Sequence, residues 1–385
     1  MTSTERKFTS VEICAGAGGQ AVGLHNAGFR HLALIEIDKD ACTTLNTNVA
    51  RKRQEWGDCK VIEADLREFD ATVLHLKPGE LDLLAGGVPC PPFSAAGKQL
   101  GRDDERDLFP TMLELIDLLE PKAVMIENVR GLLEPEHKFR EYREEILQRL
   151  ELMGYRKCYW KVLEAKNYGV PQLRPRAILV AMKAEYANHF VWSEPEKRPL
   201  KTVAKVLEDS MRARYGAIED PRADEAFKKW FKNASKDVAP TLVGGSKKHG
   251  GADLGPTRAK KAWKELGVCG LGVANEPHEM KDMERDLFAD AGPKLTVSQA
   301  ALIQGFPADW EFTGRKTAAY RQVGNAFPPP VAQAVGAQII AALEAALTAT
   351  EAKSEDVLFS KPEPSNVAGA ETADCFGDLE GAHIR

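Results

Sequence analysis

The chain has 385 residues, 43% hydrophobic and 28% charged with a net charge of −5, the proportions of a soluble globular protein with a sizeable core. No apolar run reaches the length of a transmembrane helix, and polar residues 1–10 lack a signal-peptide core, so neither a membrane-spanning nor a secreted protein is expected. The seven cysteines are odd in number and hold no Cys-x-x-Cys pair, which argues against a disulfide framework and structural zinc, fits a reducing cytoplasm and calls for no metal.

Val11-Glu12-Ile13-Cys14 reads as a short strand, followed by the turn Ala15-Gly16-Ala17-Gly18-Gly19 and a helical pattern through Leu24 and Ala27. Strand, Gly-rich turn and helix form a nucleotide-cofactor entry, in which glycines let the backbone approach a ligand while helix N–H groups face it. Residues 31–35 make a second strand that ends in Glu36-Ile37-Asp38. Glu36 follows Gly16 by 20 residues, the spacing at which an acid accepts ribose hydroxyl hydrogen bonds. The pair leaves two cofactors open, NAD and S-adenosylmethionine. A third strand over residues 60–63 runs into Ala64-Asp65-Leu66, another carboxylate at the sheet's C-terminal edge.

Residues 81–85 have the length of a buried strand, and Gly86-Gly87-Val88-Pro89-Cys90-Pro91-Pro92 then stops regular structure. Cys90 therefore sits in a stiff turn at a strand's C-terminal end, where open α/β sheets do their chemistry. The small residues Ser94, Ala95, Ala96 and Gly97 make a loop suited to closing over a substrate. A helix over residues 108–119 and a strand over 122–126 lead into Glu127-Asn128-Val129, and residues 136–153 form an amphipathic helix. Before the strand at 177–182, Arg174 and Arg176 stand at i and i+2 on an extended chain and point to one side, suiting a phosphate or a negatively polarised ligand.

The charge is unevenly spread. Residues 197–275 hold 17 Lys and Arg against 9 Asp and Glu, whereas residues 349–385 hold 3 basic against 8 acidic. Only the first region suits phosphates. Its Gly-rich centre and low hydrophobicity predict a loop-rich insert, with Lys228, Lys229 and Lys232 on a helix beside Trp230 and Phe231. An alanine-rich helix over 331–347 precedes the acidic segment, which reads as a disordered tail.

These blocks, in this order, resemble the bacterial DNA cytosine-5 methyltransferases over residues 11 to about 345. The resemblance is carried by Ala15-Gly16-x-Gly18-Gly19, Glu36-x-Asp38, Asp65-Leu66, Pro89-Cys90, Glu127-Asn128-Val129 and Gln172-x-Arg174-x-Arg176. Two late blocks complete it: Leu295-Thr296-x-Ser298-x-x-Ala301-x-x-Gln304-Gly305-Phe306-Pro307 and Gln322-Val323-Gly324-Asn325-Ala326. It implies an α/β fold, with a Rossmann-like S-adenosylmethionine-dependent catalytic domain over 1–195 completed by 315–348. A smaller, loop-rich target-recognition domain over 196–314 and the tail over 349–385 make up the rest.

The implied reaction moves a methyl group from S-adenosylmethionine to carbon 5 of a flipped-out cytosine in a specific duplex DNA site, through a covalent Cys90 adduct. By the same resemblance Glu127 serves ring nitrogen 3, Arg176 contacts the base carbonyl oxygen, and Arg174 neighbours it. Ala15, Gly16, Gly18 and Gly19 would surround the methionine portion, Glu36 the ribose, Ile37 the adenine, and Asp65 with Leu66 the adenine amino group. Pro89 and Leu108 belong to the same pocket, and Asn325 with Ala326 lies near the methionine carboxylate. Gln20 departs from relatives that carry an aromatic residue there, and Ala96 from those with a Ser that fills the vacated base position; Gln99 is a substitute candidate. DNA contacts are assigned to Ser94, Gln99, Thr241, Ser246, Lys247, Lys248, His249 and Arg258, and phosphate contacts to Lys228, Lys229 and Lys232. The implied protein is a monomeric, cytoplasmic binder of double-stranded DNA, with a restriction endonuclease acting separately. A tRNA cytosine-5 methyltransferase and a DNA-binding relative without catalysis are the alternatives. The long basic insert speaks against the first, and the joint presence of Cys90, Glu127 and Arg176 against the second.

Overall fold

Strand β1 (Phe8–Ile13) is an interior strand of a seven-stranded sheet in this computed structural model, which describes residues 8–89, 107–196, 199–244 and 252–359. Strands β2 (Phe29–Glu36), β3 (Lys60–Glu63), β4 (Leu83–Gly86) and β5 (Ala123–Val129) run parallel to it in the order β3-β2-β1-β4-β5. The chain steps outward from β1 through β2 to β3, then returns to the other side of β1 as β4. That reversal opens a crevice at the C-terminal ends of β1 and β4, the place where open α/β sheets bind ligands. Strand β7 (Pro175–Lys183) joins β5 antiparallel, and β6 (Tyr155–Glu164) pairs antiparallel with β7 at the sheet's edge. The edge strand β6 was not anticipated, because the cationic residues Arg156, Lys157 and Lys161 break up its apolar pattern.

Helices cover both faces. Val11, Ile13, Ala33 and Ile35 pack with α3 (Phe109–Leu119) and α4 (Arg140–Leu152) on one side. On the other, Leu34 packs with α1 (Gly19–Ala27), α2 (Lys39–Arg51) and residues of the basic insert. That insert is more helical than expected. It contains α5 (Val203–Gly216), α6 (Ala223–Ala234) and α7 (Thr257–Glu265), and α8 (Val297–Gln304) follows it; their Leu207, Trp230, Trp263 and Ile303 belong to the same buried cluster as Leu34 and Leu45. Its apolar residues are few, but they are large and recur on the inner helix faces, which suffices to build a core. The chain through Ala346 forms one compact unit.

Helix α9 (Lys316–Asn325) is followed by α10 (Pro329–Phe359). The stretch Lys316–Ala352 is apolar and long enough to cross a membrane. Its apolar residues are used inside the fold: Val331, Ala332, Val335, Ile339 and Leu343 are buried. Gly23 of α1 lies so close that a Cβ there would sit 2.3 Å from the Pro329 carbonyl oxygen and 2.5 Å from the Ala332 Cβ. Helix α10 continues to Phe359, past residue 349 where an unstructured tail was expected. Ala349, Glu351, Ala352, Lys353 and Glu355 favour helix, and no proline or glycine interrupts them. Residues 360–385 lie outside the described residues.

Candidate active site

The turn after β1 is held by one carboxylate. Glu36, at the end of β2, accepts the amides of Gly16 at 2.7 Å, Ile37 at 2.9 Å and Asp38 at 2.8 Å. The glycine turn is thereby tied to the neighbouring strand's end. Gly18 adopts φ 87°, a left-handed backbone that suits glycine, and a Cβ there would lie 2.8 Å from Leu45 and 2.9 Å from Trp310. Its role is to let the turn pack. Above the turn opens a cavity of about 310 Å³, and Ala15, Gly16, Gly19, Glu36, Ile37, Pro89, Leu108, Glu127, Asn325 and Ala326 all line it. Sequence reasoning placed every one of these in the site.

Three expected cofactor residues do not line it. Gly18 packs against Leu45 and Trp310. The Asp65 carboxylate is taken by Arg67, whose Nη2 lies 2.6 Å from Oδ2 and whose backbone amide donates to Oδ1 at 3.0 Å. These bonds hold its pKa below the usual carboxylate range. Leu66 is buried in the core. Conversely, Glu12 and Cys14 line the cavity unforeseen. Nothing in a strand of alternating residues marks Glu12 as facing a ligand.

Burial sets the electrostatics here. Glu12 is 1% exposed, and its Oε2 has no hydrogen-bond partner among the described residues. Burial, and then the neighbouring Glu36 charge, raise its pKa well above the ordinary 4.5. Gln20 is likewise buried, with both side-chain amide atoms unpartnered among the described residues. Cys14 sits at φ 51°, and burial followed by Glu36 pushes its thiol up to about 12. At neutral pH it is therefore a thiol and a poor nucleophile, although it lines the cavity.

At the far end of the cavity Arg176 Nε lies 2.7 Å from Glu127 Oε1, both side chains 15% exposed. Gly87 makes room for this pair, since a Cβ there would fall 2.8 Å from Glu127 Oε2. Asn128 Nδ2 donates to the Val88 carbonyl at 3.0 Å, which locks the end of β5 to the turn after β4. The Leu108 amide donates to the Pro89 carbonyl at 3.1 Å. Cys90, joined directly to Pro89, lies outside the described residues, as do Ser94, Ala96, Gln99, Ser246, Lys247, Lys248 and His249.

Arg174 departs from expectation. Instead of sharing a ligand with Arg176, it is 1% exposed and donates to the carbonyls of Leu242 at 2.6 Å, Gly324 at 2.8 Å and Ala326 at 2.9 Å. The rule that i and i+2 residues share a side was sound for the backbone, but a side chain as long as arginine reached inward to carbonyls distant in sequence. Thr241 donates its hydroxyl to the Leu173 carbonyl. Arg258 stands exposed in the first turn of α7, and Lys228, Lys229 and Lys232 are exposed on α6.

The model of the C-5 cytosine-specific DNA methylases matches residues 8–341. The chain belongs to this family. Its activity is methylation of carbon 5 of cytosine in DNA. The Type II methyltransferase M.NaeI of Lentzea aerocolonigenes is 50% identical over 335 residues, covering 86% of this chain and 75% of that protein. The Type II methyltransferase M.NgoMIV of Neisseria gonorrhoeae is 48% identical over 343 residues, covering 88% of this chain and 99% of that one. Among solved structures, the methyltransferase EhMeth of Entamoeba histolytica superposes with a TM-score of 0.57 at 16% identity, over 88% of this chain and 99% of its own. That likeness concerns the fold alone.

Within this cytosine-5 methylase, Glu12 is an acid whose charged form is disfavoured by burial and by the Glu36 charge. A carboxyl whose folded pKa is raised contributes stability below its unfolded value, near 4.5, and loses it as pH rises through the folded value. Replacing Glu12 by the uncharged, isosteric Gln (E12Q) should therefore raise the melting temperature relative to wild type by a margin that grows from about pH 5 to about pH 8. A margin that stays constant with pH would contradict the buried, unpaired acid.

Proposed function

We propose that the cavity binds S-adenosylmethionine and that Cys90 is the nucleophile of the methylase. The residues present fit that cofactor. Glu12 and Gln20 offer buried polar atoms without partners among the described residues, suited to an ammonium and a carboxylate. Ile37, 59% exposed at the rim, offers an apolar surface to a flat ring. When bound, S-adenosylmethionine supplies the electrophilic methyl group that carbon 5 of the base accepts.

The chain's own residues make that carbon reactive. Carbon 5 of cytosine is a weak nucleophile until the ring's conjugation is broken. The Cys90 thiolate adds to carbon 6, and the electron pair moves toward ring nitrogen 3, leaving carbon 5 enamine-like. Glu127 holds a proton against nitrogen 3, and Arg176 hydrogen-bonds the base carbonyl oxygen as negative charge develops. Loss of the carbon-5 proton to solvent water then expels Cys90. The observation that carries this reading is the Glu127–Arg176 pair on the cavity side where Pro89 precedes Cys90.

A base stacked in a duplex cannot reach this depth, so the cytosine leaves the helix. The basic insert receives the double-stranded DNA, with the 246–258 loop reading bases and Lys228, Lys229 and Lys232 touching phosphates. The Type II names of the relatives support a place in a restriction-modification pair, on the sites that a separate endonuclease would cut; the reading further takes the protein as a cytoplasmic monomer.

Cys90→Ser should lower methyl transfer by about a thousandfold or more, roughly 4 kcal/mol of barrier, while calorimetry still finds cofactor binding. Greater residual activity would move the nucleophile elsewhere. Glu127→Gln should slow single-turnover transfer by roughly a hundredfold with cofactor binding retained, since an amide has no acidic proton for nitrogen 3. A rate within about threefold of wild type would make Glu127 structural.

A further inference from the structure

Among the described residues, the cavity above the glycine turn is lined by five carboxylates, Glu12, Glu36, Asp38, Asp40 and Glu127, and by one cation, Arg321. Most of the acids are engaged within the protein. Glu36 holds three backbone amides, Asp38 accepts the Ala41 amide at 3.1 Å as the cap of α2, and Glu127 is paired with Arg176. Glu12 is buried, and Asp40 is exposed. Arg321 is the exception. It is half-buried on α9, and its guanidinium has neither a hydrogen bond nor an ion pair among the described residues.

A guanidinium carries five donors and no acceptor, so an unpaired one on a cavity wall is a seat for an anion. The other arginines nearby are spent. Arg176 lies with Nε 2.7 Å from Glu127 and donates Nη1 to the Pro175 carbonyl at 2.9 Å, and Arg174 is bound to three carbonyls. The start of α1 and the Gln20 amide can hydrogen-bond a carboxylate, but they bring no full charge to balance it. An anionic group entering this acid-lined space is therefore repelled by its walls and neutralised at Arg321. S-Adenosylmethionine has one such group, the carboxylate of its methionine portion. Arg321 precedes Asn325 by four residues on α9, so the two share a helix face. The guanidinium thus stands one turn from the residue that the family resemblance sets near that carboxylate.

We propose that Arg321 is a specificity-determining residue that pairs with the cofactor's carboxylate. Through it the cavity selects adenosine thioethers that carry an intact amino-acid head over those that lack the acid. Arg321 plays this part only if the cavity takes S-adenosylmethionine, as read under Proposed function. Because its guanidinium makes no bond within the described protein, replacing it strands no partner, and the loss falls on ligand affinity.

Calorimetry on the full chain tests this with two ligands, S-adenosylhomocysteine and its decarboxylated analogue, the 3-aminopropyl thioether of adenosine. In wild type, loss of the carboxylate should weaken binding by about tenfold or more, as expected for a charge-assisted pair. In Arg321→Gln the two ligands should bind within about threefold of each other. Arg321→Met, uncharged and of similar length, gives the same reading if the first variant does not fold. A folded variant that keeps the full wild-type preference would overturn the proposal and leave the carboxylate to the start of α1 and Gln20. So would a wild type that binds both ligands alike. A variant that keeps the preference but loses affinity for duplex DNA would also overturn it, and would assign Arg321 to a backbone phosphate. A wild type that binds neither ligand would instead defeat the cofactor reading, and the proposal with it.

Discussion

The Glu127–Arg176 end of the cavity depends on β7 running antiparallel to β5. A parallel strand would begin at the sheet's opposite edge and carry its first residues away from Glu127. Because β7 enters from the C-terminal edge, Arg176 at its start pairs with Val129, and its guanidinium reaches back two residues to the Glu127 carboxylate. The same direction puts Arg174, two residues earlier, under the junction of insert and cavity. One reversed strand thus places both arginines, and the glycine at 87 leaves the acid room to meet its partner.

The molecule separates its charges by task. Glu12, Glu36, Asp38, Asp40 and Glu127 line the cavity beside a single cation, Arg321, with Glu127 paired to Arg176, so acidic side chains predominate there. Residues 197–275, with their surplus of Lys and Arg, present the opposite sign to a polyanion. A net charge of −5 conceals this division, because the acidic cavity and C-terminal segment outweigh the basic insert. The two regions meet where Gly244 touches Asn325, and the Arg174 guanidinium holds carbonyls on both sides of that contact.

What was legible in the chain was largely local. The strand–turn–helix after Val11, the acid at Glu36 and the acid–Asn pair at 127 and 128 each sit within a few residues of the strand end that displays them. Local pattern and the family resemblance together located ten of the residues that line the cavity. Side-chain partner choices were not legible. Asp65 was claimed by Arg67, two residues on, ahead of any ligand, and Arg174 by carbonyls at 242, 324 and 326, which lie far along the chain. Glu12 looked like one polar residue in a strand, and only folding shows its oxygen left unpaired beside the glycine turn. The insert's glycines suggested loops, whereas Leu207, Trp230 and Trp263, few but large, build helices into the shared core.

Two cysteines compete for the chemistry: Cys90, which follows the cavity-lining Pro89 in the chain, and Cys14, which lines the cavity with its thiol pushed up to about 12. The most direct measurement is to incubate the protein with S-adenosylmethionine and duplex DNA carrying 5-fluorocytosine in its site, then map the adduct by mass spectrometry after denaturation. Fluorine cannot leave as a proton does, so the account predicts a denaturation-resistant complex with the base attached to the peptide containing Cys90. No complex, or an adduct on Cys14, would contradict it.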